Sequence, residues 1–571
     1  MRVVNLAFAL AASAPLLAVA APLSAQIPRG ASAPPSTAPK LFVATPHVGR
    51  SVDSANAVGI GEGLRGRMDR VVGRNFRVIP RDQMNLALVQ YGYPKDAILV
   101  PTVARRLALE LQARTMVTTD LRPADAGRYA ATTRVIGTND DAGNVVTASQ
   151  AAGQTPEAFG QSLAESLRPA LETVNDAREC YNQLQADQPE KAAAAARKAL
   201  VKLPTNGLAH LCLAELAIKR NAPADSILAH LNEAQKGDPL ALKAYTLAAV
   251  EHEKRGDSAQ VVNSFRQMLL VAPTNEELRK RAFQLFLQYG QAETARSVAE
   301  EGLAIDPANP DLYDLKSNAC IFLGDYACAV DALEQVIIND PTKADTLFYV
   351  KITATAAAKP DTARLLRWAQ EGVAKYPTNG ALLNQLVTAY TLSGQWDSVI
   401  TAGTRLMQAD TGAATTALTA AKGLVDSARV DQAMPFIDYA VKYGDQDAKQ
   451  NAAAILTQGG LALLQKQPLD AKNAYTALHK AVAIAPPGGN ITTSANYLLG
   501  IAALQKVGAL DQQAESQKSC DLAREMESLL TEGERGFEIG RATNPGQTDT
   551  YLGYVRQYKP RAASMVKAYC R

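Results

Sequence analysis

The sequence predicts a mainly α protein: an α-helical solenoid preceded by a small α/β domain with a mixed sheet. Three observations carry this. Pro239, Pro273, Pro307 and Pro341 recur at one constant interval of thirty-four positions, and Gly256, Gly290 and Gly324 keep the same interval. Identical spacing in two residue types marks an array of helical hairpins. Before the array, residues 40–150 alternate short β-branched runs with amphipathic stretches, the pattern of helices packed on a sheet. Composition agrees: 47% hydrophobic residues can fill a core, and only 6% are aromatic, which suits small-residue helix packing.

The segment 1–25 carries one charge, Arg2, followed by an apolar run from Val3 to Leu23 that ends in Leu23-Ser24-Ala25. That order predicts a signal peptide over 1–25, cut after Ala25, with a Pro/Ser/Ala-rich linker over 26–39. An uncleaved membrane anchor is the alternative, but Pro15 and Pro22 interrupt the run. The expected location is periplasmic or secreted. A net charge of +3 among 59 basic and 56 acidic residues gives no electrostatic footprint for nucleic acid.

The α/β domain is expected over 40–172. Leu41–Pro46, Phe76–Pro80, Thr115–Asp120, Arg128–Ile136 and Asn144–Gln150 form its strand candidates. Residues 53–74, 82–90, 101–113 and 156–173 form its helices. Gly61-Glu62-Gly63-Leu64-Arg65-Gly66 matches the dinucleotide fingerprint in letters only. Such a loop must follow a strand directly, and the nearest strand ends near Pro46, so the glycines are expected to be structural. In element order, and in Gly61-Glu62-Gly63-Leu64 followed by Phe76-Arg77-Val78-Ile79, this region resembles the amino-terminal domain of the periplasmic Tol-system protein TolB. That resemblance implies an assembly or docking role.

The array is expected over 173–486, about nine units. Within Asp311–Pro341, one helix runs to Gly324, which can adopt the left-handed conformation that ends a helix. A second runs from Tyr326 to Ile338, and Asp340-Pro341 breaks it. Ala329 is expected at the helix crossing, with Tyr313 and Leu333 on the buried side. Gly324-Asp325-Tyr326, Ala329 and Asp340-Pro341 resemble the tetratricopeptide repeat (TPR). So do Tyr289-Gly290, Ala295 and Asp306-Pro307. The small residue midway along the first helix is Ala249 or Ser317 in two units but Phe283 or Val387 in others. After Pro486 the period fades. Residues 487–571 are expected to hold a stretched hairpin (494–505 and 512–530) and an irregular capping tail containing Gly533, Gly536 and Gly540.

Chemistry-bearing motifs are sparse. His47, His210, His230, His252 and His479 show no metal-ligand spacing, and there is no Cys-x-x-Cys, nucleophile elbow or phosphate loop. No catalytic residue, metal or cofactor is expected. Six Cys in an exported chain allow disulfides in fifteen connectivities. The repeat phase favours Cys320 with Cys328 and Cys180 with Cys212; Cys520 and Cys570 remain and would tie the tail to the last long helix. Buried free thiols are the alternative.

The resemblance to TPR proteins implies a protein or peptide partner held by the first helices on a concave face. Carried over by phase, the groove candidates are Lys243, Thr246, Val250, Glu277, Lys280, Gln284, Asp311, Asp314, Asn318, Asn384 and Thr388. Lys280 and Gln284 imitate part of the family's carboxylate clamp, but Leu315 stands where it wants Asn. The expected function is an exported scaffold for protein–protein interaction in the bacterial envelope, not an enzyme. Two alternatives stay open: an enzyme with a site of scattered residues between the α/β head and the solenoid, and a membrane-tethered assembly factor.

Overall fold

The structure is a computed structural model that describes residues 38–49, 53–359 and 361–570. The expected signal peptide and most of the linker lie outside them. The chain forms two compact units, one ending at Val271 and the other beginning at Ala272.

The first unit opens with a mixed sheet. Its strands are β1 (Lys40–Val43), β2 (His47–Val48), β3 (Arg77–Val78), β4 (Ala113–Pro123), β5 (Tyr129–Gly137) and β6 (Gly143–Ser149). The order is β3-β1-β4-β5-β6, with β2 paired to β4. β1 runs parallel to β3 and β4, whereas β4, β5 and β6 are antiparallel. Alternation along β1 sends Leu41 and Val43 into one core and Phe42 and Ala44 into another. The first core is closed by α1 (Ser54–Val72) and α4 (Pro156–Ser166). The second is closed by α2 (Arg81–Gln90) and α3 (Pro101–Glu110). β2 and the longer span of β4 are additions to the sequence reading.

The glycines of the fingerprint-like segment lie inside α1, not at a strand end. A Cβ on Gly63 would collide with the Glu157 carbonyl, and one on Gly160 with that of Ile60. These glycines let α1 and α4 approach backbone to backbone.

The helix expected over 156–173 is two helices. α4 stops at Ser166, and α5 (Arg168–Gln185) begins with Pro169 in its first turn, where a missing N–H costs nothing. α5 is already the first helix of the hairpin array. The first unit then adds α6 (Pro189–Lys202), α7 (Gly207–Lys219), α8 (Ala224–Gly237), α9 (Leu242–Lys254) and α10 (Ser258–Val271).

The second unit continues with hairpins α11 (Glu276–Gln288) with α12 (Ala292–Ile305), and α13 (Pro310–Phe322) with α14 (Tyr326–Asn339). Next come α15 (Thr346–Ala358) with α16 (Thr362–Lys375), and α17 (Gly380–Leu392) with α18 (Trp396–Ala409). α19 (Ala414–Asp426) with α20 (Val430–Tyr443), and α21 (Gln446–Gln465) with α22 (Ala471–Ile484), complete the hairpins.

The turn chemistry is as the period requires. Gly324 has φ +72°, and Gly256 and Gly290 sit at +70°. The same left-handed turn position persists where Gly is absent, at Asp187, Asn221 and Ala428. Those positions hide the repeat from a search for Gly alone. Ala329 is fully buried at its crossing, and Leu333 is buried beside it. Ala249, Ser317, Phe283 and Val387 are all buried, so bulk at that first-helix position is absorbed by the core.

The tail departs from the expectation. α23 (Asn490–Gln517) is one 28-residue helix, followed by α24 (Cys520–Ile539) and α25 (Pro545–Tyr569). The glycines that looked like loop markers lie against α23. A Cβ on Gly536 would come within 2.6 Å of the Asn496 carbonyl, and one on Gly540 within 2.5 Å of the Tyr497 nitrogen. They are packing residues, and the segment is helical rather than irregular.

Candidate functional site

In the first unit the first-helix face meets the sheet's own β5–β6 turn. Lys243 on α9 pairs with Asp141 of that turn at 3.0 Å and with Glu215 on α7 at 2.9 Å. Tyr181 on α5 donates its hydroxyl to Glu215 at 2.7 Å. Burial, then Glu215, raises the Tyr181 pKa well above its ordinary value. Arg178 holds Asp140 at 2.9 Å, yet burial outweighs it and raises the Asp140 carboxyl. Lys243 is therefore committed within the chain. Thr246 is exposed and Val250 half-buried on the same helix.

The second unit carries a groove of about 540 Å³ formed by α11, α13 and α15. It brings together Lys280, Asp311, Asp314 and Asn318, all expected from the repeat phase. Asp311 accepts from Lys280 at 3.1 Å and from Lys343. These two hydrogen bonds, Lys343 foremost, lower its pKa, and the Asp311 bond raises that of Lys280. Asp314 accepts from Lys351 at 2.6 Å and from Asn318 at 3.3 Å. The same groove is lined by Leu315, the buried Phe348 and the exposed side chain of Leu347. The groove thus offers apolar contact flanked by ammonium groups with unused donors.

Glu277 and Gln284 are exposed on α11 but do not line this groove. Asn384 and Thr388 lie on α17, where Asn384 accepts a hydrogen bond from Thr416 at 2.9 Å. The phase reading missed Lys343, Asp345, Leu347 and Lys351. Asp345 stands one full repeat period after Asp311, so the period could have found it.

The six cysteines form the three expected pairs: Cys180–Cys212, Cys320–Cys328 and Cys520–Cys570. Folding also brings together two histidines. His210 and His230 are distant in sequence, but hairpin closure brings their Nδ1 atoms to 3.3 Å. His210 Nε2 lies 2.9 Å from the Pro204 carbonyl, which can only accept, so that nitrogen carries a proton. Among the described residues, no group of three or more His, Cys, Asp or Glu is placed to hold a metal ion.

Two-helix units in a regular period, a left-handed turn residue, a buried small residue at the crossing and a terminal helix breaker define the class: these hairpins are tetratricopeptide-type repeats. No protein-family model and no curated protein matches the chain. Among solved structures, MamA is similar at 14% identity, covering 28% of this chain and 92% of its own, with a TM-score of 0.24. The Naa15 complex with Naa10 bound to HypK is similar at 12% identity, covering 69% and 68%, with a TM-score of 0.36. PilW, a type IV pilus biogenesis factor, is similar at 15%, covering 37% and 96%, with a TM-score of 0.21. At scores this low, the repeat assignment rests on the hairpins of this chain.

Proposed function

We propose that this chain is a non-catalytic protein-binding scaffold, exported to the bacterial envelope, whose second unit captures an extended partner segment between α11, α13 and α15. One observation carries the reading: the same groove is lined by apolar Leu315, Phe348 and exposed Leu347 and by the ion pairs Lys280–Asp311–Lys343 and Asp314–Lys351. An extended segment would lay side chains on the apolar strip and exchange its polar groups with the flanking lysines. Export is supported by the signal-like segment 1–25 and by three disulfides, which persist in oxidising compartments. No described helix is long and apolar enough to cross a membrane.

The test is affinity capture from the native envelope, comparing the wild-type chain with Leu347→Glu and with Lys280→Glu/Lys343→Glu. Partners that bind this groove disappear from both variants while the melting curves stay close to wild type. Equal recovery by all three proteins would move the binding site elsewhere. Mass spectrometry of the exported protein should find a first residue near Gln26; a chain retaining Met1 would remove the cleaved-export reading.

A further inference from the structure

His210, in the first turn of α7, meets His230 of α8 inside the first unit. His210 is 8% exposed and His230 is half-buried. Their Nδ1 atoms lie 3.3 Å apart, and His210 Nε2 donates to the Pro204 carbonyl at 2.9 Å. With Nε2 protonated, neutral His210 keeps its lone pair on Nδ1. The hydrogen between the rings therefore comes from His230 Nδ1. The bridge needs one shared proton, because two N–H groups cannot bond each other.

The surroundings offer little to neutralise added charge. Glu233, one turn beyond His230, acts on His210 by charge, but Lys236 holds it at 2.6 Å. α6 joins the same core through Ala192, Ala196 and Ala199, and its Lys198 and Lys202 pair with Asp176 of α5. On α9, Lys243 is held by Asp141 and by Glu215 of α7. Among the described residues no acid hydrogen-bonds to either imidazole. Burial, then His210, lowers the His230 pKa. The two rings also join the helices that grip the sheet. Gly207, first in α7, donates its N–H to Asn144, and Asp238, at the end of α8, accepts that of Gly143. A Cβ on Gly207 would lie 2.6 Å from the Gly143 carbonyl and 3.2 Å from that of Ala234, so a shift of α7 against α8 is passed to the β5–β6 turn.

We propose that the His210–His230 bridge is an acid-opened latch on the α7–α8 hairpin, which loosens the hairpin's grip on the β5–β6 turn as pH falls below neutrality. The first added proton is tolerated. It enters at His230 Nε2, and Nδ1 still donates, now in a charge-assisted bond. A second proton must occupy His210 Nδ1, the bridging lone pair. Two imidazolium N–H groups then face each other and the rings part. In the unfolded chain both histidines take their protons near pH 6.5, at about the ordinary value. The bridged pair resists the second one, so the native state binds fewer protons than the unfolded chain. Stability is thus full above about pH 6.5 and falls as the pH drops below it. That window lies above the range in which carboxylates titrate.

Hydrogen–deuterium exchange of the whole chain tests this, compared between about pH 7.5 and about pH 5.5 after correction for the intrinsic rate. Amides of α7 and α8 should exchange at least about threefold faster at the lower pH, while those of α19 and α20 in the second unit do not. His230→Asn places an uncharged amide donor where Nδ1 stands, so α7 and α8 should stay equally protected at both pH values. His230→Leu removes the donor and should leave them equally open at both. If neither variant folds, the wild-type imidazole signals are followed by NMR across the same range. The pair should then titrate in two separated steps. No acid response in the wild-type chain, an undiminished one in His230→Asn, or a single common step near pH 6.5 for both rings, at about the ordinary value, overturns the proposal.

Discussion

Arg134 on β5 and Asp238, the residue that ends α8, form an ion pair at 2.7 Å in which the Asp side chain is wholly buried. The same carboxylate accepts the backbone N–H of Gly143 at 2.6 Å, and Asn144 accepts that of Gly207 at 3.1 Å. Ala142, at the tip of the turn, is packed into the hairpin core beside Cys180 and Cys212. Sheet and first hairpins are therefore one cooperative body within the first unit.

Asp238→Ala should be strongly destabilising, because it strands Arg134 and the Gly143 N–H. A buried pair broken on one side costs about 3–5 kcal/mol. Urea unfolding followed by circular dichroism measures it. A loss below about 1 kcal/mol would mean that water replaces the carboxylate and the junction is looser than described.

Ala329→Leu should overpack the α13–α14 crossing, where Ala329 has no exposed surface. The expected cost is about 1–3 kcal/mol. An unchanged melting temperature would contradict the close approach of the two helices.

Ala428 holds the left-handed turn position at φ +59°. An L-residue with a Cβ is strained there, by roughly 1–2 kcal/mol. Ala428→Gly should raise stability by up to about 1 kcal/mol, part of the relief being offset by the extra freedom of the unfolded chain. The same change at buried Ala329, which is helical, should instead destabilise, so the pair of melts separates turn geometry from a general glycine effect.

Asp311 has a depressed pKa in the folded chain, owing to Lys343 and Lys280. A depressed carboxylate contributes stability above its unfolded pKa, about 3.9, and loses it as pH falls through the folded value. Asp311→Asn should therefore lower stability near neutral pH, by less than about 1 kcal/mol for a half-exposed pair. Its difference from wild type should vanish at the acid end of a pH series of melts. A difference that persists in strong acid would assign the effect to packing.

The sequence by itself determined the repeat. Proline and glycine act through the local backbone, so Pro307, Pro341, Gly290 and Gly324 mark hairpin ends wherever the rest of the chain goes. The burial of Ala329 and the pairs Cys180–Cys212 and Cys320–Cys328 follow from that phase, and Asp311 with Asp314 and Asn318 was legible for the same reason. Only the tertiary structure decided what depends on contacts between distant segments. It turned the glycines of 533–540 from loop markers into packing residues, split the helix at Leu167, and brought His210 to His230. It also committed Lys243 to Asp141, far away along the chain, and left Arg65 buried without an ion pair among the described residues. A residue's helical phase is set by its near neighbours. Its partner, and whether it has one, is set by which surfaces the folded chain presses together.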